Sequence, residues 1–138
     1  MSIIADNLNN ITSEIEKKLK EISGLSVSKY IRNWRLTKYT SNVDVIIQSI
    51  TRSPTSFTDY EFIYNYTIIL TEKWDQLTGD NSLSLLDSVI DKLDELRLKD
   101  ATILDYCTEV EIGDISFRYE EEGNRTVTFV EIPLKVYS

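Results

Sequence analysis

The sequence contains no histidine, one cysteine, two prolines and four glycines among its 138 residues. Without histidine, the chain has no Ser-His-Asp or Cys-His catalytic arrangement and no imidazole ligand for zinc. The single cysteine, Cys107, excludes an intramolecular disulfide and favours a reducing compartment. We expect Cys107 to be a buried structural residue and not a nucleophile. The scattered glycines form no phosphate-binding loop, so we predict neither a cofactor nor an enzyme.

Long apolar runs are also absent from the chain. No stretch approaches the roughly 20 apolar residues that span a bilayer, so we expect no membrane partner. The start of the chain lacks the basic and apolar regions of a signal peptide. A net charge of −8 disfavours a general nucleic-acid binder. The length and the hydrophobic content of 41% predict one globular domain over residues 1–138.

Apolar residues at three- and four-residue steps predict two amphipathic helices, at Ile4–Ile22 and Leu83–Leu96. Gly24 is expected to end the first helix, and Asn81 or Ser82 to cap the second.

Between and after the helices, alternating apolar residues predict strands. The predicted strands are Val43–Thr51, Phe57–Glu72 and, less distinctly, Ile103–Tyr106, with a turn or loop at Thr51–Ser56. These elements predict an α+β fold, in which two α-helices pack on one face of an antiparallel-rich β-sheet.

The last third of the chain predicts one long β-hairpin that runs to the C-terminus. One arm rises from Val110 to Tyr119, a turn covers Glu120–Arg125, and the other arm returns over Thr126–Tyr137. A long hairpin with a polar tip is more typical of an assembly element than of an active site. The tip acids Glu120, Glu121 and Glu122 are expected to keep the turn solvated and to block edge-to-edge pairing. If copies form a ring around DNA, the same acids are candidates to face the channel and repel phosphates.

The segment Lys29–Lys38 interleaves lysines and arginines with tyrosine and tryptophan and contains no acid. Such a pattern fits phosphate contacts with base stacking. We favour a Trp34 that packs under the sheet, with cations that are solvated or paired with acids elsewhere, because four cations in a chain of net charge −8 are a weak field. A protein–protein contact is a third interpretation, because Trp, Tyr and Arg are common interface anchors.

Two further groups of side chains have both a chemical and a structural interpretation. Asp87, Asp91 and Asp94 or Glu95 share one face of the second predicted helix, where carboxylates can share a hard cation or simply face solvent. Tyr60, Tyr64 and Tyr66 alternate along a predicted strand, where they form either a ligand-binding wall or part of the core. For both groups we favour the structural interpretation.

The order and length of these elements resemble those of the tail terminator proteins of long-tailed bacteriophages, also called tail-completion or minor tail proteins. The resemblance covers nearly the whole chain and involves no signature motif. It is carried by the helix Ile4–Ile22, the segment Tyr30-Ile-Arg-Asn-Trp34, the strand Tyr60–Leu70, the helix Leu83–Leu96 and the closing Val127–Val136.

The resemblance implies a structural virion protein that forms a hexameric ring on the end of the tail tube. Such a ring ends tube polymerisation and presents a surface to head-completion or connector proteins, while DNA passes through without specific binding. The implied location is the head-proximal end of the tail, assembled in the cytoplasm of a bacterial host. Candidate subunit-interface residues are Tyr30, Trp34, Arg35, Phe117, Tyr119 and Phe129.

Three alternatives to a tail terminator remain at the level of sequence. The chain also suits another phage assembly component, such as a head–tail connector or a tube-like protein. A non-viral cytoplasmic binding adaptor is the next alternative. An enzyme comes last, because without histidine it would have to work with carboxylates alone.

Overall fold

A computed structural model describes residues 3–30, 41–57, 59–75, 85–122 and 125–138. Its elements confirm the α+β class. The helices are α1 (Ile3–Leu19) and α2 (Leu86–Glu95), with a 3₁₀ helix at Thr102–Asp105. The strands are β1 (Ser26–Lys29), β2 (Ser41–Pro54), β3 (Tyr60–Asp75), β4 (Glu109–Ile112), β5 (Ser116–Glu122) and β6 (Arg125–Tyr137).

The six strands form one sheet in the order β1-β2-β3-β6-β4, with β5 also paired to β6. Strand β1 runs parallel to β2, and every other pairing is antiparallel. Strands β3 and β6 are paired from Ile63 opposite Tyr137 to Asp75 opposite Arg125, which makes them the centre of the sheet. Strands β4 and β5 follow one another along the free side of β6.

One face of the sheet carries the main hydrophobic core, because alternate strand residues point to the same side. Leu70 lies opposite Val130 and Ile68 opposite Ile132, and all four side chains are fully buried. Both helices pack on this face, as the sequence predicts. From the helices the core receives Ile11, Ile15, Leu19, Val89, Leu93 and Leu96. The opposite face holds a smaller cluster of Ile69, Val127 and Phe129, with Ile46 packed against it.

The predicted long hairpin is present, but its first arm is broken between β4 and β5. Ile112 lies opposite Leu134 and Ser116 opposite Glu131, so the broken arm has one residue more than β6 between these pairs. Pro133, at this point of β6, has no N–H to donate, and an interrupted ladder tolerates that loss. Its carbonyl accepts a hydrogen bond from the Gly113 N–H at 2.8 Å. A Cβ at position 113 would lie 3.1 Å from the Pro133 Cβ, so this close approach favours glycine.

Four sequence predictions differ from the structure. The strand predicted at Ile103–Tyr106 is wrong, because residues 103–105 belong to the 3₁₀ helix Thr102–Asp105, in which Ile103 is buried. The turn predicted at Thr51–Ser56 is too long, because β2 continues to Pro54. The hairpin turn predicted at Glu120–Arg125 is also too wide, because β5 pairs with β6 as far as Glu122 opposite Arg125. Strand β1 was not predicted.

The predicted ends of the helices are only partly within the described residues. Helix α1 ends at Leu19, and the chain then turns to Gly24, which has a φ of 77° in the left-handed region that suits glycine. The predicted start of the second helix, at Leu83, and its caps Asn81 and Ser82 lie outside the described residues. No helix of the described residues is long and apolar enough to cross a membrane.

Candidate assembly surface

Strand β5 places two large aromatic side chains on the surface. Phe117 is 46% exposed and Tyr119 is 60% exposed. Phe117 lies opposite Val130 and Tyr119 opposite Thr128, and directly opposite residues share a face of the sheet. Since Val130 belongs to the main core, Phe117 and Tyr119 lie on the face that carries the helices. We call these two residues the β5 strip.

The β5 strip continues the core face, and the described residues leave it partly exposed. Val130 is fully buried, whereas Phe117, its neighbour on β5, is about half exposed. The side chains that bury the core face at β6 therefore cover β5 only partly. In the described part of the chain, β5 pairs with β6 alone, so its other edge has no strand partner. An apolar surface beside an open strand edge is suited to binding another protein.

Phe129 lies on the other face of the sheet and is fully buried within the subunit. The Arg118 guanidinium carbon lies 4.7 Å from the centre of its ring, which is a cation–π contact. The same guanidinium lies 3.9 Å from a carboxylate oxygen of Glu120. Of the predicted interface residues, Phe129 is therefore placed beneath Arg118 and not at the surface.

The predicted channel-facing acids lie on β5 and not in a separate turn. Glu120 and Glu121 are both exposed, and alternation places them on opposite faces of the strand. Glu121 shares the side of the β5 strip, and Glu120 shares the side of Arg118. The side chain of Glu122 lies outside the described part of the structure, although its backbone pairs with Arg125.

Tyr30 directly follows β1 and has an unusual backbone conformation. Its φ is 69°, in the left-handed region that is unfavourable for a non-glycine residue. Its hydroxyl donates to the Asn9 side-chain oxygen of α1 at 2.9 Å, and the ring remains exposed. Tyr30 is thus fixed at the surface, separate from the β5 strip in sequence and in strand order. The predicted interface residues Trp34 and Arg35 lie outside the described residues.

The β2–β3 hairpin carries a second exposed apolar site, which the sequence analysis missed. Beyond the pairing of Ile63 with Tyr137, β2 and β3 continue together as far as Pro54 opposite Tyr60. We call residues 51–57 and 59–61 the β2–β3 arm. Its turn is closed by a hydrogen bond from the Thr55 N–H to the Asp59 carbonyl, at 2.9 Å. Phe57 lies in this turn and is fully exposed. The sequence analysis placed a turn at residues 51–56 and began a strand at Phe57. It therefore did not identify Phe57 as an exposed residue of the turn.

One carboxyl group is buried where β3 approaches the start of α2. Glu72 lies opposite Ser41 and Thr128 on the neighbouring strands, and all three side chains are buried. The Ser41 hydroxyl donates to Glu72 Oε1 at 3.4 Å, and the backbone N–H of Leu85 also donates to this carboxyl. Burial outweighs these hydrogen bonds and raises the pKa of Glu72 to about 7.

The raised pKa of Glu72 predicts a stability that decreases as the pH rises. The folded state holds the proton more tightly than the unfolded state, whose ordinary pKa is 4.5. The contribution of Glu72 is therefore complete below pH 4.5 and is lost as the pH rises through about 7. We expect the free energy of unfolding to fall by on the order of 3 kcal/mol across this range, relative to Glu72→Gln. Urea unfolding of both proteins at several pH values measures the difference, and parallel pH profiles would contradict the prediction.

The chemical alternatives from the sequence find little support in the described residues. Asp87, Asp91 and Asp94 are exposed, and Asp94 pairs with Arg97 at 3.4 Å. The described residues contain no group of three or more Asp, Glu, Cys or His side chains that could hold a metal.

Three of the remaining candidates belong to the core, as the structural interpretation predicts, and Tyr60 does not. Tyr64 and Tyr66 are buried in the main core, whereas Tyr60 is exposed on the β2–β3 arm. Cys107 is buried and donates to the Ile103 carbonyl at 3.4 Å. Burial raises the pKa of its thiol to about 11, so it is protonated at neutral pH.

Comparison with known proteins gives a match of fold and not of sequence. No family model matches the chain, and no curated protein matches it. A chain from a solved structure described as the virion of a native gene transfer agent (GTA) particle has a similar fold, with a TM-score of 0.60 at 10% sequence identity. The match covers 92% of this chain and 94% of that chain. The fold is therefore that of a chain found in a virion, and both chains consist almost entirely of it.

Proposed function

We propose that this chain is a tail terminator, a structural virion protein that forms a hexameric ring on the end of a tail tube. The ring ends tube polymerisation and provides the surface for head joining. The observation that carries the proposal is the fold shared with a virion chain over more than nine-tenths of both chains. This likeness supports a structural role in a virion, and the order of elements in the sequence supports the terminator in particular.

Self-association is supported by the open side of the sheet at β5. A stable interface needs about 800 Å² from each partner, and its core is usually aromatic. The β5 strip supplies two exposed aromatic rings beside a strand edge that pairs with no other strand of the described residues. We propose Phe117, Tyr119 and Tyr30 as contact residues, together with Trp34 and Arg35. Phe129 acts indirectly, because it supports Arg118 from below.

A ring on a tail tube must let DNA pass without retaining it. Exposed acids at the lumen would repel phosphates, and the net charge of −8 provides an overall field of the same sign. We propose that the end of β5 that carries Glu120, Glu121 and Glu122 lies at the edge of the channel. The partners of the ring are then the tail tube protein on one side and a head-completion or connector protein on the other. The ring is assembled in the cytoplasm of the bacterial host and is located at the head-proximal end of the tail.

The proposal predicts that the protein limits the length of tail tubes. Added in substoichiometric amounts to the polymerising tail tube protein of the same particle, it is expected to shorten the tubes in proportion to its concentration. The reason is that each ring blocks one growing end. Electron micrographs measure the tube lengths and show whether a ring sits at one end of each tube.

A matched control for this assay is Leu98→Lys, which changes an apolar residue that is 54% exposed away from β5. It is expected to cap tubes like the natural chain. Unchanged tube lengths at stoichiometric concentration would contradict the terminator. Tubes built from this protein alone would instead identify it as a tube-like protein.

A further inference from the structure

We propose that Phe57, in the turn of the β2–β3 arm, is the anchor that packs against the β5 strip of the next copy of this chain. The inference rests on the proposed self-association and names the two surfaces that meet. It adds a residue that neither the sequence pattern nor the fold comparison singles out. The occupant of the β5 strip is thus a second copy, and the contact is head-to-tail.

The positions of the two surfaces in the sheet fit a head-to-tail contact. The β2–β3 arm extends beyond the pair of Ile63 with Tyr137, near one end of β6. The β5 strip lies near the other end of β6, where Tyr119 is opposite Thr128. At about 3.3 Å per residue, the stretch of β6 from Thr128 to Tyr137 separates them by about 30 Å. They also lie on different sides of the central β3–β6 pair. Two different surfaces at opposite corners of a subunit produce a ring when the rotation closes.

The two surfaces are complementary in chemistry. Phe57 is fully exposed at a defined turn, and the β5 strip offers Phe117 and Tyr119 as an aromatic surface. A fully buried aromatic side chain covers about 150–250 Å², so Phe57 and the exposed halves of Phe117 and Tyr119 supply part of a standard interface.

Charges beside the rings are also complementary. Arg52 lies at the base of the arm, with its guanidinium carbon 3.9 Å from the centre of the Tyr60 ring. No ion pair joins Arg52 to an acid of the described residues within 4.0 Å. Glu121 is exposed on the same side of β5 as the strip. The arm therefore brings a cation toward a surface that ends in an acid, which favours this pairing over a contact between two arms or two strips.

Cross-linking between single-cysteine chains tests the contact. In a Cys107→Ala background, chains carrying Thr55→Cys are mixed with differently sized chains carrying Ser116→Cys and treated with a short bis-maleimide. Thr55 and Ser116 are exposed near Phe57 and Phe117, so the new cysteines keep all three aromatic rings of the proposed contact. Thermal unfolding checks that the Cys107→Ala background is folded. We expect the mixed product to exceed that of Thr55→Cys with Leu98→Cys by about tenfold or more, because bound neighbours have millimolar effective concentrations.

A chain with both Thr55→Cys and Ser116→Cys in the same background extends the test. It is expected to give a ladder of products that ends at the number of subunits in the ring. Products that join two copies through position 55 alone, or through position 116 alone, would overturn the head-to-tail contact. Rings that form without the mixed product would overturn the contact and leave the proposed function standing. A chain that stays monomeric and gives no cross-link would overturn both.

Discussion

Replacing Phe117 and Tyr119 together by lysine is expected to abolish ring formation while leaving the subunit folded. Both side chains are about half exposed, so their loss is expected to change the free energy of unfolding by less than about 1 kcal/mol each. Aromatic hot spots of an interface contribute roughly 2 kcal/mol or more each, so loss of both is expected to weaken association by about a thousandfold. Lysine on an open edge strand also opposes strand addition. Light scattering measures the assembly, and urea unfolding measures the stability.

The control for this double substitution is Leu98→Lys, which adds a lysine at an exposed apolar residue elsewhere. It is expected to assemble like the natural chain. A double variant that still forms rings would remove the β5 strip from the interface. A double variant that fails to fold would show that the strip belongs to the core of the subunit.

Replacing Tyr66 by alanine is expected to destabilise the subunit by about 3–5 kcal/mol, a large part of the stability of a small domain. The ring is buried on the core face of β3. Its hydroxyl shares a hydrogen bond of 2.7 Å with the Thr12 hydroxyl of α1 and donates to the Leu8 carbonyl at 3.4 Å. Tyr66 therefore joins α1 to the sheet through both packing and hydrogen bonds. Urea unfolding measures the loss.

A double-mutant cycle separates the hydrogen bond from the packing. Tyr66→Phe alone is expected to cost about 1–3 kcal/mol, because it leaves the buried Thr12 hydroxyl without this partner. Tyr66→Phe combined with Thr12→Val removes both polar groups and is expected to cost less than the sum of the two single changes. Additive losses would show that the two hydroxyls do not interact across α1 and β3.

The sequence predicts the centre of this fold better than its edges. Alternation along Tyr60–Leu70 and the stripe from Leu8 to Leu19 are long enough to identify β3 and α1, because a buried face needs many residues in phase. Strand β1 has four residues, and Val27 is its only large apolar one, so no period is visible. The break between β4 and β5 depends on contact between Gly113 and Pro133, which are distant in sequence.

The candidate surface was also predicted only in part, because its exposure depends on contacts between residues that are distant in sequence. The hairpin pattern identified Phe117 and Tyr119, and the structure places both at the surface. Alternation could not show that Phe129 is buried beneath Arg118, because its own face of the sheet also carries apolar contacts. The exposure of Phe57 depends on how far β2 and β3 extend beyond β6, which is a property of the whole sheet. Sequence periodicity describes single strands, and an open surface depends on what the rest of the fold leaves uncovered.

The most direct test of the account is the mass of the protein in solution, measured by light scattering over a wide concentration range, with electron micrographs of the same samples. The account predicts a closed species of six 16.0 kDa subunits, visible as rings of uniform diameter. A mass of one subunit at every concentration, with no rings in the micrographs, would contradict it.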